Sequence, residues 1–135
     1  MEASCQCGAI AFKTPSSEPT IVYICHCTQC RHQASSAFGI SAIFPAFEIQ
    51  PTPAEGLLGD YVRTTDAGKR KHCYFCTRCG SRLIHINDDG KSLSVKGGCL
   101  KGLSKEMLNK AVHIWTSEAI VDIPEGAPQY AEEPV

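Results

Sequence analysis

Short runs of apolar residues alternating with polar ones recur along the chain, and turn-forming Gly, Pro, Ser and Asp residues separate them. The runs cover 9–12, 20–24, 38–44, 60–65, 71–75, 82–86, 93–96 and 111–115. Segments of this length and composition are typical of the strands of a mostly β domain. The pair Asp89-Gly90 stands between two of these runs, where we expect a hairpin turn.

Only two segments favour a helix, and both are short. One follows Cys30 through Gln33 or Ala34, and the other begins after Ser104, a residue type that caps helix N-termini. Beyond Pro124 the chain becomes polar and proline-rich. We therefore expect a single domain over 1–124 and a polar tail over 125–135, too polar to form a packed element, with Tyr130 able to dock on the domain.

Composition narrows the classes of function. The 135 residues include 13 basic and 14 acidic side chains with no long run of either sign, which gives little support to binding of nucleic acid or of an anionic membrane surface. The first residues lack the apolar region of a secretory signal, and no apolar run is long enough to span a bilayer. We expect a cytoplasmic protein without membrane association. The oligomeric state is not indicated.

Nine cysteines are an odd number, which suits metal binding better than a disulfide framework in a cytoplasmic protein. Seven of them fall in three groups: Cys5-Gln6-Cys7-Gly8, Cys25-His26-Cys27-Thr28-Gln29-Cys30 and Cys76-Thr77-Arg78-Cys79-Gly80. Cys73 and Cys99 stand apart, and isolated cysteines are most often small buried hydrophobic residues.

The third group has the form of a zinc knuckle, in which two thiolates flank a tight turn and a glycine follows. A structural zinc takes four ligands, and the remaining pair of similar form is Cys5 and Cys7. We assign Cys5, Cys7, Cys76 and Cys79 to a structural zinc site that joins the N-terminus to the middle of the domain.

Cys25, Cys27 and Cys30 then form a set of three, which with a vacant fourth position is the arrangement of a catalytic zinc. Three thiolates donate electrons strongly, so such a site suits thiolate chemistry better than activation of water. One alternative is a second structural site closed by His26, His72 or Cys73. His26 lies between two ligands, so we expect its ring to point away from the metal.

The three cysteine groups, in this order, resemble the family of glutathione-dependent formaldehyde-activating enzymes (GFA), which includes relatives of centromere protein V. The similarity runs from Ser4 to about Pro124, with weaker matches at 95–100 and 113–115. It implies an Mss4-like fold, in which several small coiled β-sheets are organised around zinc. By matching position it also implies structural zinc ligands at Cys5, Cys7, Cys76 and Cys79 and catalytic zinc ligands at Cys25, Cys27 and Cys30.

Two positions depart from the family pattern. A glycine is common near the position of Ser36, and Cys99 in Gly98-Cys99-Leu100 replaces a residue that usually bears a hydroxyl. Cys99 follows two glycines, so it is a candidate fourth ligand of the three-cysteine site as well as a candidate core residue.

The resemblance implies a zinc-dependent carbon-sulfur lyase that acts on a small thiol adduct, of the type that forms S-hydroxymethylglutathione from glutathione and formaldehyde. Two zinc ions per chain, with glutathione as co-substrate, are the expected cofactors and ligands. The alternative is a non-catalytic zinc-binding module that contacts a protein partner. The sequence does not indicate which residue moves protons; His26 and Cys99 are candidates.

Overall fold

The computed structural model describes residues 1–87 and 90–134. In this part of the chain the strands are β1 (Glu2–Ser4), β2 (Ala11–Lys13), β3 (Ile21–Cys25), β4 (Gly39–Pro45), β5 (Leu58–Thr64), β6 (Arg70–Cys76), β7 (Arg82–Asn87), β8 (Ser92–Lys96) and β9 (Val112–Ile114). Two short α-helices are present, α1 (Thr28–Ala34) and α2 (Lys105–Asn109), together with single 3-10 turns at Gly97–Cys99 and Thr116–Glu118. The mostly β fold class is confirmed.

The strands form two sheets. β1 and β2 pair in a two-stranded antiparallel sheet, and the other strands form a seven-stranded sheet in the order β5-β6-β7-β8-β4-β3-β9. The last pair of this order, β3 with β9, is parallel, whereas the other neighbours are antiparallel. The large sheet thus places the end of β3, where Cys25 lies, between β4 and β9.

The core lies between the two sheets and takes side chains from most strands. Its buried apolar members include residues two apart on β4, Ala42 and Phe44, and on β8, Leu93 and Val95, together with Ile10, Phe12, Leu83, Ile84 and Leu100. Alternation with a two-residue period directs one set of side chains inward and leaves the other set on the outer face. That outer set supplies several of the polar groups described below.

Each predicted strand segment has a counterpart within two residues of its limits. β1 escapes prediction because it has three residues, two of them polar, and its pairing with β2 comes from the fold rather than from a pattern. α1 begins at Thr28, before the predicted start, because Cys27 caps it. α2 follows Ser104, whose hydroxyl accepts a hydrogen bond from Met107 N–H. The predicted turn at Asp89 lies outside the described residues.

The tail is bound to the domain. Tyr130 N–H donates to His113 C=O at 2.9 Å, and His113 N–H donates to Pro128 C=O at 2.9 Å. Further along, Trp115 N–H donates to Glu132 C=O at 3.1 Å. The tail forms only an isolated bridge to β9, yet its backbone hydrogen bonds hold it there. The polar composition predicted a segment with no packed element and allowed Tyr130 to dock; in the structure, backbone groups of Pro128, Tyr130 and Glu132 make the bonds.

Candidate metal centres and active site

Cys5, Cys7, Cys76 and Cys79 come together from two distant parts of the chain. Their four Sγ atoms lie within 4.8 Å of one another. Cys7 Sγ lies 3.7 Å from Cys5 Sγ and 3.9 Å from Cys76 Sγ. Four thiolates placed roughly 2.3 Å from a central zinc would stand about 3.8 Å apart. The four-cysteine cluster therefore has the size that a tetrahedral metal ion requires.

Two glycine turns shape this cluster. Gly8 and Gly80 follow their cysteines with φ of +79° and +80°, a left-handed conformation that glycine adopts without strain. Gly8 N–H donates to Cys5 C=O at 3.2 Å, and Gly80 N–H donates to Cys76 C=O at 2.7 Å. Each turn thus folds the chain back so that both of its sulfurs face the same point.

Hydrogen bonds to this cluster favour the thiolate form of Cys5 and Cys79. Ile10 N–H donates to Cys5 Sγ at 3.3 Å. Hydrogen bonding by the Ser81 side chain and backbone lowers the pKa of Cys79 to about 5. Cys5 and Cys76 are buried in the core. A metal held here would be part of the structure that joins β1 to the end of β6.

Cys25, Cys27 and Cys30 form the second cluster, again with their Sγ atoms within 4.8 Å of one another. Cys25 ends β3, Cys27 is the N-cap of α1, and Cys30 lies in the first turn of that helix. Cys30 N–H donates to Cys27 Sγ at 3.3 Å. This three-cysteine cluster is local in sequence, and the strand end and the helix start determine its geometry.

Hydrogen bonds among these three thiols shift their pKa values in different directions. The thiol of Cys25, followed by that of Cys30, holds the pKa of Cys27 well below its usual value. The pKa of Cys25 is raised, first by its hydrogen bond to Cys27 and then by that to Cys30. Of the three, Cys27 is therefore the thiol whose ionised form its neighbours favour. Three thiolates suit a soft or borderline metal such as zinc, so the donor set fits.

Gly39 permits α1 to approach the sheet at this point. A Cβ atom at Gly39 would lie 3.2 Å from Cys30 Cβ and 3.7 Å from Cys30 Sγ. Gly39 is also the residue opposite Cys25 in the pairing of β3 with β4. The absence of a side chain at this one position lets Cys30 lie close to β4, directly beside the end of β3 that carries Cys25.

The predicted closing ligands do not join the three-cysteine cluster. His26 is buried, its Nε2 lies 2.9 Å from His113 Nδ1, and it is not part of the group of potential ligands. His72 Nδ1 lies 2.9 Å from Asp60 Oδ2. Cys73 is fully buried, and its thiol contacts Lys71 C=O. None of the three belongs to a group of potential ligands in the described part of the chain.

Cys99 is also outside both clusters. Its thiol donates to Arg82 C=O at 3.1 Å, and burial raises its pKa to about 11. It faces a cavity of about 960 Å³ that Cys5 and Cys79 line as well, so it lies nearer the four-cysteine cluster than sequence reasoning suggested. The geometry is that of a packed, neutral thiol.

Lys96 is a functional candidate that sequence reasoning missed. It is 6% exposed, and its Nζ donates to Ser41 Oγ at 3.0 Å. Burial lowers the pKa of its ammonium, and the nearby sulfurs of Cys30 and Cys25 act in the opposite direction. Its only sequence signal is a cation at the end of the predicted strand 93–96.

Two cavities flank the three-cysteine cluster. One, of about 660 Å³, is lined by Cys27, Trp115, Glu118 and residues of the β5–β6 turn. The other, of about 260 Å³, is lined by Cys30 and by side chains of β5 to β8. Cys27 and Cys30 thus border one cavity each, and Cys25 lines neither. The four-cysteine cluster borders a different, wider groove.

The family model for the glutathione-dependent formaldehyde-activating enzyme (GFA) matches residues 1–118, which include both clusters. The chain belongs to the GFA family. A crystal structure of a Rhodobacter sphaeroides protein is similar to it in fold, with a TM-score of 0.60 and 20% sequence identity over 84% of this chain and 99% of that one. No curated protein sequence matches significantly.

For a GFA family member, the family's general property is glutathione-dependent activation of formaldehyde. Within the described residues, no helix is long and apolar enough to cross a membrane. The three-cysteine cluster is the place where the two flanking cavities meet a set of metal-ligand side chains. It is therefore the candidate active site.

Proposed function

We propose that this protein is a zinc-dependent carbon-sulfur lyase that forms and cleaves S-hydroxymethylglutathione, with the reaction at Cys25, Cys27 and Cys30. The observation that carries the proposal is a cluster of three potential metal ligands between two cavities, in a chain of the GFA family. Three ligands leave one position for a substrate sulfur, which is the pattern of catalytic rather than structural zinc.

The reaction joins the sulfur of glutathione to the carbon of formaldehyde. The sulfur lone pair forms the new S–C bond, the carbonyl π pair moves to oxygen, and the proton lost from the thiol is replaced by one on that oxygen. In reverse, the S–C bond breaks and the thiolate leaves. A zinc ion bound to the three cysteines would supply positive charge that favours the thiolate form of the substrate at neutral pH.

Lys96 is the residue of this chain that we expect to stabilise negative charge at the site. Its ammonium is close enough to Cys30 and Cys25 for their charges to affect its pKa. Three thiolates around a divalent ion leave one net negative charge, and a buried cation beside them offsets it. Ser41 keeps the ammonium in place by accepting its hydrogen bond.

The segment that carries the ligands contacts β9 and the 3-10 turn that follows it. His26 stacks on His113 with ring centroids 5.2 Å apart. Thr28 donates its hydroxyl to Glu118 Oε1 at 2.8 Å. These contacts fix the loop without using a sulfur, so all three thiols remain available.

The test is turnover by the zinc-loaded protein, followed by NMR of the S-hydroxymethyl adduct formed from glutathione and labelled formaldehyde. We expect the protein to accelerate exchange between free and adduct forms beyond the spontaneous rate, and Cys27→Ser to abolish the acceleration. Exchange at the spontaneous rate in the folded, zinc-loaded protein would contradict the lyase and favour a zinc-binding module that contacts a protein partner.

A further inference from the structure

The smaller cavity beside Cys30 carries an excess of positive charge. Four cationic side chains line it, and no carboxylate does; these are Arg63, Lys71, Arg82 and Lys96. Arg63 and Lys71 also line the larger cavity, where Asp66, Glu118 and Glu133 accompany them. Within residues 1–87 and 90–134, none of the four cations forms an ion pair with a carboxylate.

Strand register brings these cations together. Arg63 of β5 and Lys71 of β6 are directly opposite each other, and directly opposite residues share a face of the sheet. Like charges placed opposite each other are destabilising. An anion bound between the two cations would offset this repulsion, so such a pair at the wall of a cavity favours an anionic ligand.

A β-bulge adds Arg82 to the same face. The register between β6 and β7 shifts at Tyr74/Phe75, so that Arg82 pairs with Phe75 instead of continuing the alternation. Arg82 and His85, three positions apart, would otherwise point to opposite faces. The shift places Arg82 Nη1 3.2 Å from His85 Nε2 and its guanidinium over the ring of Tyr61.

The pKa of His85 indicates that the four cations lie near the same point. Burial lowers the pKa of His85 to about 2, and Lys96, Arg82, Lys71 and Arg63 each act in the same direction. The imidazole is therefore neutral and adds no charge of its own. Lys96 differs from the other three because its ammonium already donates a hydrogen bond to Ser41 Oγ and is influenced by the charges of Cys30 and Cys25, so we assign the other three cations to a ligand.

One side-chain oxygen of a half-buried residue at the same wall also lacks a partner. The side-chain oxygen of Gln33 lines this cavity and has no hydrogen bond in the described structure. Buried polar atoms are nearly always bonded, and an unbonded one in a cavity indicates a place for a ligand or water. Because an amide oxygen accepts hydrogen bonds, it would bind a donor of the ligand, such as an N–H group, and leave a carboxylate to the cations.

We propose that Arg63, Lys71 and Arg82 form an anion subsite that binds a carboxylate of the substrate thiol while its sulfur lies at the three-cysteine cluster. This deepens the proposed function, on which it rests, because it makes an anionic thiol the preferred substrate class. A volume of about 260 Å³ is smaller than that of typical whole-ligand pockets, so the cavity receives one end of the molecule.

The test separates the carboxylates of the ligand from its thiol. S-methylglutathione keeps both carboxylates and has no thiol, whereas glutathione diethyl ester keeps the thiol and has no carboxylate. Binding of each to the zinc-loaded protein is measured by calorimetry. We expect S-methylglutathione to bind, and Lys71→Gln to weaken it at least about tenfold, which is the loss of one charge-assisted hydrogen bond.

Arg70→Gln is the matched control, since Arg70 precedes Lys71 on β6, is exposed and does not line the cavity. It removes the same net charge, and we expect a change of less than about twofold, the size expected of a distant surface charge. Arg63→Gln, on the edge strand β5, serves as the second cavity variant if Lys71→Gln fails to fold. Circular dichroism and zinc content verify each variant.

The two proposals fail differently. If S-methylglutathione binds equally well to wild type, Lys71→Gln and Arg63→Gln, the anion subsite is wrong even where turnover occurs. If glutathione diethyl ester binds as tightly as glutathione, the same conclusion follows. If S-methylglutathione binding depends on these cations but no turnover is observed, the subsite stands and the lyase is wrong.

Discussion

The two cysteine clusters use the same ligand atom in opposite settings. The four-cysteine cluster joins loops separated by 69 residues between Cys7 and Cys76, and two of its sulfurs belong to the core. The three-cysteine cluster comes from six consecutive positions, and Cys27 and Cys30 line one cavity each. Lys96 lines the same cavity as Cys30. Ligand type alone does not distinguish a structural from a reactive site; the number of ligands and their surroundings do.

The largest expected effect is the loss of the fold in Cys76→Ser. A structural zinc contributes folding free energy of roughly 10 kcal/mol or more in small zinc domains, comparable to the whole stability of a domain this size. We expect an unfolded or aggregated protein, observed by circular dichroism and gel filtration. A variant that melts within a few degrees of wild type would mean that the four-cysteine cluster is dispensable.

Cys27→Ser should separate activity from stability. Serine still caps α1, because its hydroxyl can accept the hydrogen bond that Cys27 Sγ accepts from Cys30 N–H. We therefore expect turnover to fall at least about a hundredfold while the free energy of unfolding changes by about 1 kcal/mol, since hydroxyl is a poor substitute for thiolate at zinc. Destabilisation equal to that of Cys76→Ser would make both clusters structural and remove the distinction between them.

Chelation tests the same distinction without a mutation. We expect two zinc ions per chain, with the one held by three cysteines released first to a mild chelator because a three-ligand site leaves a position open to attack. Metal content and thermal melts measured together should show one ion lost before the melting temperature falls. A single ion, or release of both in one step, would contradict this order.

Gly39→Ala should weaken the three-cysteine cluster selectively. An added Cβ would lie 3.2 Å from Cys30 Cβ, tighter than ordinary contact, so α1 must move by a few tenths of an ångström. We expect zinc affinity at this cluster to fall several-fold while the four-cysteine cluster keeps its ion. Gly98→Ala is the control, since nothing lies within 4 Å of a Cβ there. Unchanged release of zinc would show that the contact relaxes freely.

The smallest effect concerns pH. The pKa of His85 is about 2 in the folded protein, against an ordinary value of 6.5, because of burial and then the four neighbouring cations. Below pH 6.5 the unfolded state therefore binds more protons than the folded state, and stability falls as pH falls. From pH 6.5 to 5.5 this loss is at most about 1 kcal/mol.

His85→Gln should lose correspondingly less stability over that interval in urea denaturation, since glutamine does not titrate. Any loss caused by protonation of the cysteine ligands is common to both proteins and cancels in the comparison. Equal pH dependence in wild type and variant would mean that His85 is protonated in the folded state.

Sequence patterns were sufficient to predict the strands and both cysteine clusters. The two-residue period of the strands and the short spacings of Cys76 to Cys79 and Cys25 to Cys30 are local signals. They were insufficient for Arg63, Arg82 and Lys96. These cations are separated in sequence and meet only through strand register and a β-bulge, neither of which leaves a mark on the spacing. Cys99 shows the converse, since the two glycines before it left both a ligand and a core residue open, and the structure gives its thiol a carbonyl partner.

The docked tail has a consequence for how copies of this protein behave in concentrated solution. β9 is the terminal strand of the large sheet, and its outer backbone groups bond to Pro128 and Tyr130. An uncovered terminal strand is a template for pairing with another molecule, and covering it is one way in which natural sheets avoid aggregation. Removing residues 125–134, or displacing them with a fused tag, should expose the edge of β9 to pairing with other molecules. We expect solubility to fall while both cysteine clusters stay intact.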